Sequence, residues 1–109
     1  MSCKGHIIEN KFMGNKKKIK TSKQLERHFK GIANYQRIDI LFLVSTNHNL
    51  TVEQITQNLN KNFKTVSEHI RRLVQAGLIN KEYRGRNVIH FLSPYGKEFA
   101  RFVKTFQTF

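Results

Sequence analysis

Residues 65–78, TVSEHIRRLVQAGL, decide how this chain is read. The apolar residues Val66, Ile70, Leu73 and Val74 recur at helical spacing, and Gly77 supplies the left-handed residue that ends such a helix. Asn62 stands where a side-chain cap at the helix start is needed. At about 100° per residue from Val66, the positions Lys61, Lys64, Glu68, Arg71, Arg72 and Gln75 fall on the side away from the core. The segment is therefore an amphipathic helix with a polar, mostly basic face. Phe63 lies near the helical angle of Ile70, which predicts that it packs in the core.

Working outward, residues 79–83 and 87–92 are rich in branched and aromatic side chains and flank RGR at 84–86. That pattern predicts a β-hairpin with Gly85 at its turn. Upstream, Thr51 and Gln54 form a capping box that opens a short helix reaching about Leu59, with a turn at Asn60 and Lys61 after it. Asn34 opens an earlier helix on which Ile38, Leu41, Phe42 and Ser45 recur among further apolar residues, the signature of a central helix. STNHN at 45–49 ends it. Ser22 precedes a first helix with Leu25, Phe29 and Ile32 on one face. Ser93 and Pro94, a cap and then a proline, open a last helix with Tyr95, Phe99, Phe102, Phe106 and Phe109 in one aromatic seam. The expected fold is mostly α, about five helices with a small β-hairpin wing. Residues 1–21 read as a flexible basic arm and 22–109 as one domain.

Composition narrows the function. Twenty Lys and Arg against seven Asp and Glu give a net charge of +13, which calls for a polyanionic partner. Residues 1–30 hold nine basic and two acidic side chains, 61–90 hold seven and two, and 31–60 hold one and two. Two basic zones thus flank a neutral one, and the first contains Lys16, Lys17, Lys18 and Lys20. No apolar run is long enough for a membrane span, and a single cysteine, Cys3, rules out a disulfide scaffold, so a reducing cytoplasm is expected. Cys3 alone is weak ground for a thiol switch. The sequence has no glycine-rich phosphate loop, nucleophile elbow or His-Glu-x-x-His, and its carboxylates are scattered. A non-enzyme without cofactor is expected.

Helix, turn, helix and basic-tipped hairpin is the order that sets one helix in a major groove with a wing beside it. From about Phe29 to Gly96 the chain resembles the ArsR-type winged helix-turn-helix transcription regulators. IANYQRIDIL resembles the family's second helix, TVSEHIRRLVQAGLI its recognition helix, and YRGRNVIHFLSPYG its wing and the exit from it. The resemblance implies a regulator of transcription, a repressor, that binds double-stranded DNA. It implies a DNA-binding set of Asn62, Phe63, Lys64, Thr65, Ser67, Glu68, Arg71 and Arg72, in which Phe63, Lys64, Ser67 and Glu68 face base edges. The family commonly has glutamine at the position of Phe63 and histidine at that of Glu68, so its sequence preference does not carry over. Lys64 can donate to guanine or phosphate, Glu68 can accept from cytosine N4, and Phe63 can offer only an apolar contact. For Glu68 the alternative is an ion pair with Arg71 or Arg72; His69 reads as a helix-flank residue.

Arg84 and Arg86, beside Gly85, read as wing contacts to phosphate and the minor groove, and the lysines of the arm as further DNA contacts. The aromatic seam exceeds what a small core covers, which predicts a homodimer through Leu25, Phe29, Tyr95, Phe99, Phe102, Phe106 and Phe109. The family's usual metal sites are not expected: Thr51 and Glu53 occupy the positions of its paired cysteines, and no histidine comes after Pro94. Two rival readings are an architectural, nucleoid-type protein that coats DNA with little sequence preference, and a winged-helix module that contacts protein.

Overall fold

The computed structural model describes residues 19–109, so Cys3, Lys16, Lys17 and Lys18 lie outside the described residues. Among the described residues, five helices and one hairpin are arranged in the order α1 (Ser22–Ile32), α2 (Tyr35–Thr46), α3 (Val52–Leu59), α4 (Phe63–Gln75), β1 (Ile79–Arg84), β2 (Asn87–Leu92) and α5 (Pro94–Gln107). This is the winged helix-turn-helix fold expected from the sequence.

Local chemistry sets most of the boundaries. Asn34 caps α2 by accepting from the amides of Gln36 and Arg37. Thr51 and Gln54 exchange bonds across the start of α3, the reciprocal pairing that satisfies two orphan amides. Asn62 accepts from the amides of Lys64 and Thr65 at 2.8 and 3.2 Å and starts α4. The end of α4 is a Schellman motif: Leu78 N–H bonds to Leu73 C=O, Gly77 N–H bonds to Val74 C=O, and Gly77 sits at φ +78°. Helix α1 differs from expectation by one residue, because its cap is Thr21, not Ser22. Thr21 and Gln24 form a second capping box, which Ser22 has no partner to build.

The core gathers Ile40, Leu41 and Val44 of α2, Ile55 of α3, and Val66, Ile70 and Leu73 of α4, closed by Leu78, Ile79, Leu92 and Ala100. Helix α2 is central, as its apolar sequence requires. Helix α1 enters the core by a route the sequence pattern does not reveal, burying His28 and Ile32 while Leu25 and Phe29 stay exposed. The His28 Nδ1–H donates to Ala76 C=O at 2.6 Å, and its ring lies 5.2 Å from that of Tyr95. A buried backbone carbonyl past the end of α4 thereby gains a donor. The strands pair antiparallel from Ile79 opposite Leu92 to Arg84 opposite Asn87. Only Gly85 and Arg86 form the loop, and Gly85 at φ +62° meets the need for a positive φ at its first position. Leu50, between α2 and α3, adds a single bridge to the outer side of β2 through His90 N–H at 2.8 Å.

Candidate nucleic-acid interface

The turn that joins α3 to α4 positions the interface. Asn60 takes the left-handed conformation, φ 55°, and the chain reverses within Asn60, Lys61 and Asn62. Burial of Val66, Ile70 and Leu73 then fixes the rotation of α4 and leaves Asn62, Phe63, Lys64, Thr65, Glu68, Arg71 and Arg72 exposed, with Ser67 half-buried. The expected polar face of α4 is the face observed.

Phe63 is a correction, since it is 52% exposed and does not pack in the core. Its helical angle points the right way, but it occupies the first turn, and the first residue of α4 to reach the core is Val66. Angle predicts burial only where a neighbouring element stands at the same height. Phe63 is thus an exposed aromatic at the leading end of the helix.

Glu68 is held by both neighbouring arginines. The Arg71 guanidinium bonds to its carboxylate at 2.5 and 3.2 Å, and Arg72 Nε reaches it at 3.2 Å. The Arg71 hydrogen bond, with Arg72 adding to it, holds the Glu68 carboxyl below its ordinary range against a smaller opposing effect of burial. Base contact by Glu68 would require exchange of these partners. All three side chains are about half exposed, a setting in which such pairs reorganise at little cost.

Helical periodicity gives no sign of a polar joint that links α2 to α4. His69 Nε2–H donates to Gln36 Oε1 at 2.7 Å, and Arg37 donates to His69 Nδ1 at 3.2 Å. These roles require the neutral ring with its proton on Nε2. Burial, and after it the charge of Arg37, lowers the His69 pKa; burial likewise lowers that of His90. A lowered folded-state pKa means that the unfolded chain takes up the proton first. Stability is therefore expected to be full above about pH 6.5 and to fall as the pH drops below it. Urea titrations at pH 7.5 and 5.5 should show this loss, and His69→Gln should reduce it; an unchanged difference would remove the joint from the account.

In the hairpin Arg84, Gly85 and Arg86 are all exposed at the tip. Arg84 approaches Glu82 at 3.6 Å in a solvent-exposed pair, and Tyr83 beside it is 71% exposed. Strand propensity alone does not single out Tyr83; its place next to the RGR turn is the signal that it shares the tip. Of the arm lysines, Lys20 lies within the described residues, with Nζ 4.4 Å from the centre of the Tyr95 ring. That contact ties the end of the arm to α5 through a cation–π interaction.

On α5 the seam divides. Phe99 packs on the core and meets Phe29 edge-on at 5.1 Å, whereas Phe102 and Phe106 are 56% and 66% exposed and stack 5.8 Å apart. Tyr95 and Phe109 are exposed as well. Of the residues expected at the dimer contact, Leu25, Phe29, Tyr95, Phe102, Phe106 and Phe109 are exposed, and Phe99 is packed on the core. Among the described residues no cluster of His, Cys, Asp and Glu could hold a metal ion, and no helix is long and apolar enough to cross a membrane.

Residues 34–81 match the family described as bacterial regulatory protein, arsR family. No curated protein matches the chain. Among solved structures, HlyU from Vibrio cholerae superposes with a TM-score of 0.71 at 24% identity, covering 82% of this chain and 97% of that one. Mb0332 from Mycobacterium bovis, a homodimeric winged helix-turn-helix DNA-binding domain, gives 0.72 at 20% identity over 84% of this chain and 91% of that one. The transcriptional repressor PagR of Bacillus anthracis gives 0.68 at 20% identity over 74% and 93%. These likenesses bear out the fold, and the match over 34–81 bears out the resemblance to the ArsR family.

Proposed function

We propose, from the premise that residues 34–81 are ArsR-type in sequence, that this protein is a dimeric, sequence-specific regulator of transcription that binds duplex DNA as a repressor. The observation that carries the reading is the exposed, mostly basic face of α4 beside a hairpin tipped by Arg84 and Arg86. The leading turn of α4 enters the major groove. There Phe63 offers apolar contact to a thymine methyl, Lys64 donates to guanine or phosphate, and Ser67 and Glu68 complete the base contacts. Arg71 and Arg72 anchor phosphates once Glu68 is shared with the DNA. Arg84 and Arg86 enter the adjacent minor groove, whose negative potential favours arginine. Such a variety of side chains at the helix start favours a specific reader over a protein that coats DNA, because coating needs positive charge alone.

The exposed seam of α5 and the outer face of α1 pair with a second copy, and the description of Mb0332 as homodimeric supports a dimer here. A twofold dimer presents two α4 helices to half-sites about one helical turn apart. The protein is not an enzyme in this reading, since the side chains that carry it are those of a DNA-binding helix and wing.

Arg84→Ala combined with Arg86→Ala tests the wing. Affinity should fall for every duplex, and the slope of log affinity against log salt should flatten by about two, as for two lost phosphate neutralisations. Equal slopes for the variant and the parent would take the wing out of the interface.

A further inference from the structure

The side of α5 turned away from the aromatic seam forms, with the end of α2 and the hairpin, a groove of about 750 Å³. Lys97, Ala100, Arg101 and Lys104 face it at helical spacing, about half a turn round from Phe99, Phe102 and Phe106. Pairing of two copies through the seam therefore leaves the groove open. Its floor is apolar, built from Val44, Leu92 and Ala100, all buried, with Phe91 half-buried at one side. Its rim is cationic. Lys97, Arg101 and Lys104 come from α5 and Arg84 from β1, against Glu82 as the single carboxylate among the lining residues. Lys104 Nζ donates to Ser45 Oγ at 3.2 Å and so ties α5 to α2 at one end of the groove.

These two features select different parts of one ligand. Apolar floor rewards hydrocarbon, and an inorganic anion or a phosphodiester brings none. Arg84 is paired with Glu82 at 3.6 Å and Arg101 with Glu98 at 2.7 Å, both in solvent-exposed pairs that exchange partners at little cost. These cations, with Lys97 and Lys104, therefore reward an anionic head through charge-assisted hydrogen bonds. The volume falls in the range of small-molecule sites. We propose that the groove binds an amphipathic organic carboxylate, with its hydrocarbon body on Val44, Leu92 and Ala100 and its head group at Lys97 and Arg101. This site lies off the DNA-binding face of α4, shares Arg84 with the wing, and needs no DNA for its test.

Calorimetric titration of the full chain with octanoate should give saturable binding, with acetate and 1-octanol each at least roughly tenfold weaker, since each lacks one half of the recognition. Lys97→Ala with Arg101→Ala should raise the octanoate Kd about tenfold. Glu82→Gln should lower it, a gain that a damaged fold cannot mimic. The proposal is overturned if octanoate gives no saturable binding, if acetate or inorganic phosphate binds as well as octanoate, if 1-octanol matches it, or if the double variant retains the parent affinity.

Discussion

Replacing Phe102 and Phe106 together by aspartate is expected to convert the protein to a monomer and to lower its affinity for an inverted-repeat duplex by roughly a hundredfold or more. The two rings stack in the open, more than half exposed, so the substitutions place charge on a surface and not in the core. Folding should survive them. Burial of one such ring between two copies removes apolar surface from water on both sides, and an aspartate there would bring an unpaired charge into the contact. The effect on DNA comes from linkage. When two recognition helices are joined, the second half-site is met at a high effective concentration, and separation of the copies forfeits a factor of about 10²–10⁴. Sedimentation and duplex titration on the same sample read both consequences, and a monomeric parent protein would end the dimer claim.

The second large effect is on stability. Gly96→Ala should destabilise the domain by about 3 kcal/mol or more, near the upper range for overpacking. Gly96 is buried at the first turn of α5, where that helix meets the end of α4. A Cβ there would run into the Leu78 carbonyl oxygen and its carbon, which are backbone and cannot swing aside. The same joint is fastened by Ser93, whose hydroxyl donates to Gly77 C=O at 2.6 Å and accepts from Gly96 N–H at 3.0 Å, while its own amide bonds to Leu78 C=O at 3.1 Å. A shift of α5 that relieves the clash would pull on all three bonds. Gly85→Ala provides the contrast, because nothing lies within 4 Å of its added methyl and only the positive φ is strained, worth about 1–2 kcal/mol. Melting curves for the two variants should separate by several degrees, at about 4–8 °C per kcal/mol for a domain of this size. A Gly96→Ala protein as stable as its parent would show that the α5 joint is loosely packed.

What is legible in the sequence is what short-range chemistry dictates. Asn34, Thr51 with Gln54, Asn62, Gly77 and Ser93 with Pro94 each act within a turn of chain, and each stands where the spacing places it. The hairpin is readable for the same reason, with Arg84 continuing the first strand by one residue. What depends on the height of a neighbour is not legible. Helical angle assigns Phe63 to the core, yet it is about half exposed, and α1 buries His28 beside the expected Ile32. A histidine becomes a core residue there only because a free carbonyl, that of Ala76, faces it from an element far along the chain. The His69 joint with Gln36 and Arg37, and the groove between α5 and the hairpin, likewise join residues distant in sequence and leave no periodic trace.

The most direct test of sequence-specific recognition by a paired winged helix is selection from a random duplex library with the purified protein, and then titration of winners and scrambled duplexes at two salt concentrations. The expected result is an enriched inverted repeat with half-sites about one helical turn apart, bound roughly a thousandfold or more tighter than scrambled DNA. Tight, salt-sensitive binding with no enriched sequence would contradict it and identify a protein that coats DNA.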